Sequence, residues 1–259
     1  MVRINKSAAR TIEILHLIST QKKRLTITEI SRALEIPKST THQLLQTLVQ
    51  LKVLDVDENK TYQLGVRFLE IALPWLTRMD LRKEARPIME EVCSKSGETI
   101  FLATHEGGDI VYLEQIEGTS MLKTSVSLGS RLPMNCTGLG KSLLAVLPEE
   151  KVREMMGLKL RTKTEFSHRR LEDLLADLGA VRVRGYAIDN QEAAIDIHCV
   201  AAPIHNHNGE PTGAMSIASP SMKMTEERQK RFGRLITEAA LLLSRRLGYM
   251  GEKLFHQAG

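Results

Sequence analysis

The chain has 259 residues, which is long enough for two domains that each bury a core. Its first 67 residues hold eleven Lys or Arg and six Asp or Glu, so they alone carry the whole net charge of +5. No apolar run reaches membrane-spanning length, no apolar signal segment opens the chain, and the 3 cysteines lack CxxC spacing. We therefore predict a cytoplasmic protein with reduced thiols and no membrane contact.

Two short amphipathic helices joined by a tight turn are predicted between Thr26 and Leu51, where apolar side chains recur at helical spacing. Pro37 suits the first turn of the second helix, where Ser39 and Thr40 can satisfy unpaired amides. This helix opens with small polar and basic side chains, as a DNA-reading helix does. The side chains predicted to contact DNA from it are Lys38, Ser39, Thr40, Thr41, His42 and Gln43. The alternative is that the basic excess is only a solvated face.

A helix before this pair and a hairpin after it would complete a winged helix. The segment VLDVDENKTYQLG alternates apolar and polar residues, which predicts the hairpin. Asn59 and Lys60 at its tip are predicted to touch the phosphate backbone of DNA. We place the winged helix-turn-helix domain at residues 1–65.

A helical pattern over residues 66–80 predicts a linker helix between the two domains. Pro74 lies inside this pattern and must kink or end the helix. Trp75 beside it is either a core residue or a dimer anchor.

Strands and helices alternate through residues 81–259, which predicts an α+β domain. One hairpin is expected around Gly107 and Gly108, and another with Asn208 and Gly209 in a type I′ turn. Helices are expected after CTGLGKS, over residues 148–156 and 169–181, and over residues 225–247 at the end.

The segment CTGLGKS looks like a phosphate-binding loop but fails its spacing, because Asn135 stands where the first glycine is required. Nucleotide hydrolysis is therefore not expected. Gly138 and Gly140 allow a close turn, and the helix start offers unpaired N–H groups to an anion. A bound ligand carboxylate and a tight turn without ligand both remain open.

Asp189, Cys199 and Ser216 lie on predicted strands and converge on one pocket if those strands are neighbours. Taken separately, each is an ordinary surface or core residue. His205 and His207 share a spacing that could hold a metal, but no third ligand is evident. Neither GxSxG nor HExxH occurs, so we predict no catalytic residues, no metal and no cofactor.

Several segments in this order resemble the IclR-type bacterial transcriptional regulators from about Ala8 to Leu247. They are LEIPKSTTHQLLQTL, SGETIFLATHEGGDIVYLEQIEG, TGLGKSLLAVLP and GYAIDNQEAAIDIHCVAAPIHNHNGEPTGAMSIASPS. The resemblance implies a winged helix-turn-helix domain, a linker helix and a GAF-like (profilin-like) effector-binding domain. It also implies a homodimer or dimer of dimers on a palindromic operator in double-stranded DNA, with a small organic acid as effector.

The resemblance also implies the pocket that would hold this acid, with the amides of Gly138 and Leu139 taking its carboxylate. Carried over by position, the pocket residues would be Met121, Thr124, Leu132, Gly138, Leu139, Asp189, Ile197, Cys199, Ser216 and Ala218. The family often has alanine at Gly138 and usually arginine at Gln43. Glutamine prefers adenine edges where arginine prefers guanine.

We therefore predict a ligand-responsive, sequence-specific regulator of transcription, and we prefer repression to activation. Two alternatives stay open. One is an enzyme that converts a small acid and carries an ancillary DNA-binding domain, and the other is an architectural DNA binder that responds to no ligand.

Overall fold

The computed structural model describes residues 4–21, 23–71, 81–119, 126–157 and 159–255. The chain separates into two compact units, which we call the N-terminal unit (Met1–Met79) and the C-terminal unit (Asp80–Gly259). None of the helices in the described stretches combines the length and the apolar character that a membrane crossing requires. Pro74, Trp75, Met121 and Thr124 lie outside the described residues.

The N-terminal unit contains three helices and a small antiparallel sheet with strand order β1-β3-β2. The helices are α1 (Lys6–Thr20), α2 (Ile27–Ala33) and α3 (Lys38–Gln50), and the strands are β1 (Leu25–Thr26), β2 (Leu54–Val56) and β3 (Thr61–Leu64). Ile14, Ile30, Leu45 and Leu54 are fully buried in its core, so each helix and the wing contribute to one cluster. The prediction of a winged helix-turn-helix is confirmed.

The start of α3 differs from the prediction. Pro37 occupies the N-cap position, with a ψ of 136°, and no side chain caps the helix. Ser39 and Thr40 lie inside the helix, and a capping oxygen normally comes from the N-cap residue, which here has no hydroxyl. The predicted capping by these two side chains is therefore wrong, and the first amides of α3 receive no side-chain oxygen.

A further helical segment begins after the wing and is described over residues 66–71. The predicted linker helix starts at the same position. Its predicted kink at Pro74 stays a prediction.

The C-terminal unit is built on a six-stranded antiparallel sheet with strand order β6-β5-β4-β9-β8-β7. The strands are β4 (Thr99–Glu106), β5 (Asp109–Ile116), β6 (Arg131–Pro133), β7 (Ala187–Asn190), β8 (Ile197–His205) and β9 (Pro211–Pro220). The helices are α4 (Leu81–Ser96), α5 (Gly138–Leu144), α6 (Glu149–Met156), α7 (Leu171–Arg184) and α8 (Glu226–Arg246). The α+β prediction is confirmed.

Helices α4 and α8 pack against each other, and together they contact β4, β5, β8 and β9. Helix α5 packs against β7, β8 and β9. Strands β4 and β9 form the centre of the sheet, and the short helix α5 lies over the half of it that β7, β8 and β9 form.

The turn between β8 and β9 is not the predicted type I′ turn. Gly209 has a φ of +79°, but Asn208 is not among the residues with positive φ, and a type I′ turn requires positive φ at both. The side chain of Asn206 accepts from the amides of Asn208 and Glu210, and the amide of Gly209 bonds the Asn206 carbonyl. A longer loop built on Asn206 thus replaces the two-residue turn.

Candidate DNA-binding helix and ligand cavity

Helix α3 presents an exposed polar face next to a buried apolar one. Lys38, Ser39, His42 and Gln43 are exposed, and Thr40 is half-buried. Leu45 and Leu48 lie on the buried side. The structure therefore leaves four of the six predicted side chains of this helix fully available to a partner.

Thr41 is not available, because it is 0% exposed. Its hydroxyl donates to the Pro37 carbonyl at 3.2 Å and to the Ile36 carbonyl at 3.4 Å. These bonds satisfy the hydroxyl inside the turn before α3. The prediction that Thr41 contacts DNA is therefore wrong, and its role is packing.

The sequence reasoning missed Gln46, which is exposed and lies three residues after Gln43 on the same face of α3. Helical spacing alone could have found it. The exposed face thus carries two neighbouring amide side chains, and its cation, Lys38, lies at the start of the helix.

The tip of the wing exposes Asn59 and Lys60. The nearby acid Asp57 accepts from the amide of Thr61 at 2.8 Å and from Arg24 at 3.1 Å. Hydrogen bonds from Thr61, followed by the contact with Arg24, hold the pKa of Asp57 below its ordinary value. Its negative charge therefore faces Arg24, and Lys60 stays free to meet an anion.

A cavity of about 70 Å³ lies in the C-terminal unit beside the start of α5. Seven of the predicted pocket residues line it, namely Leu132, Gly138, Leu139, Asp189, Ile197, Cys199 and Ser216. Ala218 is buried on β9 and pairs with the lining residue Cys199, but it is not itself among the lining residues.

Strand pairing explains why these residues meet. Asp189 on β7 pairs with Cys199 on β8, and Ser216 on β9 pairs with Phe101 on β4. Directly paired residues point to the same face of a sheet. Helix α5 closes over that face, where a Cβ on Gly138 would stand 3.5 Å from the Asp189 Cβ.

The cavity also has walls that the sequence reasoning missed. Its additional lining residues are Phe101, Tyr112, Val126, Thr137, Ala193 and Ala194. The rings of Phe101 and Tyr112 meet edge to face with centroids 5.3 Å apart. Apolar alternation in β4 and β5 gave no signal for these rings, because a cavity wall and a core have the same pattern.

Asp189 is the charged side chain among the described lining residues and is 2% exposed. Its Oδ1 accepts from the amides of Glu192 at 2.7 Å and Ala193 at 3.3 Å. Burial, with the negative charge of Glu192, raises the pKa of Asp189 to about 7 in spite of these bonds. Burial likewise raises the pKa of the Cys199 thiol, so this side chain lines the cavity as a neutral thiol and not as a nucleophilic thiolate.

Lys141, from the GKS sequence, is 1% exposed and is not among the residues that line the cavity. Its ammonium nitrogen lies 2.6 Å from an Asp177 oxygen and 2.5 Å from a Glu192 oxygen. Ligand atoms of His168, Asp177 and Glu192 also lie within 4.8 Å of one another, a spacing that could hold a metal ion. The ammonium of Lys141 already supplies the positive charge there.

The chain matches two family models. The IclR helix-turn-helix domain matches residues 7–58, and the C-terminal domain of the bacterial transcriptional regulator IclR matches residues 74–245. The HTH-type transcriptional regulator XynR of Escherichia coli is 33% identical over 248 residues, which cover 95% of this chain and 98% of that protein. The transcriptional repressor IclR of Escherichia coli is 31% identical over 239 residues, which cover 91% of this chain and 87% of that protein.

A solved structure, the repressor BlcR of Agrobacterium tumefaciens, aligns with a TM-score of 0.83 and 27% identity over 95% of this chain and 98% of that one. These relatives are transcriptional regulators, which decides against the enzyme alternative. The polar face of α3 lies within the first matched domain, and the cavity of the C-terminal unit lies within the second. The chain therefore belongs to the IclR family of bacterial transcriptional regulators, and it is a DNA-binding protein that responds to a ligand.

Proposed function

We propose that this regulator is a cytoplasmic repressor whose DNA affinity changes when a small organic acid enters the cavity beside α5. The observation that carries this proposal is the cavity itself, which combines apolar walls with polar groups from separate strands. The proposed effector contacts are Leu132, Gly138, Leu139, Asp189, Ile197, Cys199 and Ser216. An acid that binds one arrangement of the protein better than another shifts DNA affinity by that difference, typically about 1–3 kcal/mol.

The proposed operator is a palindrome in double-stranded DNA. Lys38, Ser39, His42 and Gln43 on the exposed face of α3 would contact it, with Thr40 at the edge of that face. Asn59 and Lys60 on the wing would contact phosphates and fix the position of the domain on the duplex.

A homodimer, alone or paired into a dimer of dimers, is the proposed assembly on such a palindrome. Large apolar side chains of the N-terminal unit support it, because Ile12 on α1 and Val66, Leu69 and Ile71 after the wing are exposed. Val66 and Leu69 are three residues apart in one helical segment and so are neighbours, and contiguous exposed apolar groups mark sites of association.

A thermal-shift screen tests the effector class. The full chain is melted with sodium acetate, propionate, pyruvate and benzoate, and any stabilising acid is then added to a gel shift on the promoter of its own gene. We expect at least one acid to raise the melting temperature and to change the shift. Specific DNA binding that no acid alters would favour an architectural DNA binder instead.

Substituting Gln43→Ala is expected to weaken operator binding by about 1–3 kcal/mol and to relax preference at one base pair, because an amide pairs bidentately with adenine. Fluorescence anisotropy against the operator and its single-base variants measures both effects. Gln50→Ala is the matched control, because Gln50 is exposed at the far end of the same helix. An equal loss of affinity for every sequence would contradict base reading by Gln43.

Substituting Ser216→Ala is expected to weaken acid binding about 2- to 10-fold while operator affinity without the acid is unchanged. Ser216 is buried in the cavity wall, and the loss of one hydrogen bond costs about 0.5–1.5 kcal/mol. Calorimetric titration with the stabilising acid measures the change. Ser219→Ala is the control, since Ser219 is buried on the same strand outside the cavity. Equal acid affinities in both variants and the wild type would remove Ser216 from the site.

A further inference from the structure

The charge inventory of the cavity does not match an anionic ligand. Among its described lining residues, Asp189 carries the charge, and the others are apolar, aromatic or uncharged polar side chains. None of them is a lysine, arginine or histidine. An organic carboxylate entering this cavity would therefore meet a carboxylate at short range, with no cation in the described wall to compensate.

The nearest described buried cation does not serve as a counter-ion. Lys141 lies behind the cavity, and its ammonium binds both Asp177 and Glu192. Arg184 adds a second cation 3.9 Å from the other Asp177 oxygen, so the two carboxylates of this cluster are matched by two cations. The charges of Lys141 and Arg184 are therefore taken up by Asp177 and Glu192, and no positive charge of this cluster is left over for a ligand in the cavity.

The hydrogen bonds of Asp189 leave one of its oxygens for the cavity. Oδ1 accepts from the amides of Glu192 and Ala193, and the structure gives Oδ2 no such bond. Proton binding at Oδ2 would remove the charge and would create an O–H donor that a ligand carboxylate can accept.

From this geometry we infer that the cavity takes up one proton together with each carboxylate: the effector binds as an anion, and Asp189 becomes a neutral acid that donates its Oδ2–H to it. The inference rests on the proposed function, since it assumes that an acid is the effector. Charge balances, because one ligand anion and one proton enter together.

The surroundings of Asp189 favour this protonation near neutral pH. Burial and the charge of Glu192 raise its pKa to about 7. The ionisable groups that face it from the neighbouring elements are Tyr112, Cys136, Lys141, Glu192 and Cys199. Burial raises the pKa of the phenol and of both thiols, so these stay neutral, and Lys141 stays charged because two carboxylates hold its pKa above the ordinary value.

The expected result is an affinity for acetate, propionate, pyruvate or benzoate that is flat below about pH 6 and falls on the order of tenfold per pH unit well above pH 7. Isothermal titration calorimetry of the full chain at pH 8, in phosphate and in Tris, counts the protons taken up. We expect close to one proton per site at pH 8 and fewer at pH 6.

Two variants test whether the Asp189 carboxyl is the group that takes up the proton. Asp189→Asn keeps an oxygen for the two amides and an N–H donor for the ligand, so its affinity is expected to be the same at pH 6.5 and pH 8.5, without proton uptake. Glu154→Gln is the control, because Glu154 is an exposed acid on α6, and its profile is expected to follow the wild type.

The outcomes separate this inference from the proposed function. No binding by any of these acids between pH 6 and pH 8.5 would contradict the acid effector itself. Binding without proton uptake would overturn only the present inference and would place the counter-charge elsewhere in the chain.

A measurement without ligand stands beside these titrations. A carboxyl whose pKa is raised on folding stabilises the protein at low pH, and that contribution is lost as pH rises through the folded-state value. The wild type is therefore expected to lose melting temperature between pH 6 and pH 8 more steeply than Asp189→Asn. Equal slopes would overturn the inference.

Discussion

Replacing Lys141 by methionine is expected to lower the free energy of unfolding of the C-terminal unit by about 3–5 kcal/mol at pH 7, because removing one partner of a buried ion pair leaves an uncompensated charge. Lys141 is 1% exposed, and its ammonium binds both Asp177 and Glu192. Burial opposes its charge, but the two carboxylates outweigh burial and keep the pKa of Lys141 above its ordinary value. Methionine fills similar space and keeps no charge, so the loss reports electrostatics rather than a cavity.

The loss of unfolding free energy in Lys141→Met is expected to depend on pH. Burial works against the charge of Asp177, but the hydrogen bond from His168 and the charge of Lys141 hold its pKa to about 2, below the ordinary 3.8. In the wild type the stabilisation that this lowered pKa provides is fully present above the pKa of the unfolded state, and it is lost as the pH falls through the pKa of the folded state. Without Lys141 the carboxyls take up protons more readily, so the deficit narrows from pH 7 to pH 5.

Urea unfolding followed by circular dichroism at both pH values measures the loss. Lys151→Met is the control, because Lys151 is exposed on α6, and its effect is expected to stay within about 0.5 kcal/mol. The triple variant Lys141→Met, Asp177→Asn, Glu192→Gln is expected to recover part of the stability. A Lys141→Met protein as stable as the control would show that the cluster contributes nothing.

This lysine also shows where sequence reasoning ends. In the printed sequence it follows two glycines at a helix start, which is typical of an anion site, yet its partners stand 36 and 51 residues further along the chain. No periodicity connects such distant positions, because the contact exists only once α7 and the segment after β7 pack around α5. Thr41 is a second case, since a small hydroxyl inside a polar run gives no sign that its turn will bury it.

The sequence was informative where local pattern and strand pairing decide the outcome. Amphipathic spacing predicted the helices of the winged domain, and alternation predicted the hairpins β4–β5 and β8–β9. Asp189, Cys199 and Ser216 could be expected to converge because neighbouring strands present alternate residues to one face. The positions of Phe101 and Tyr112 in the cavity wall could not be predicted, because the sequence of an apolar strand does not distinguish a cavity wall from a packed core.

Replacing Gly140 by alanine is expected to destabilise the C-terminal unit by at least about 3 kcal/mol, which is the upper end of the usual range for overpacking. A Cβ at this position would stand 2.2 Å from the Cα of Met134 and 2.3 Å from its carbonyl oxygen. Both are backbone atoms of the turn Met134–Cys136, which leads directly into α5, so no side-chain rotation relieves the clash. Helix α5 must move away, and the cavity wall formed by Gly138 and Leu139 moves with it.

Gly138→Ala is the matched control two residues earlier on the same helix. Its Cβ would stand 3.5 Å from the side chains of Ala201 and Asp189, which is ordinary van der Waals contact, so the fold is expected to accept it. Urea unfolding compares the stability of the two variants. Calorimetry with the stabilising acid shows whether the affinity for the acid falls as well. Because the Gly138 variant narrows the cavity without moving the helix, we expect it to weaken only the larger acids, whereas Gly140→Ala weakens all of them. Equal stability of the two variants would mean that the backbone at Met134 can shift to accept the added Cβ. Helix α5 would then not hold the cavity wall rigidly.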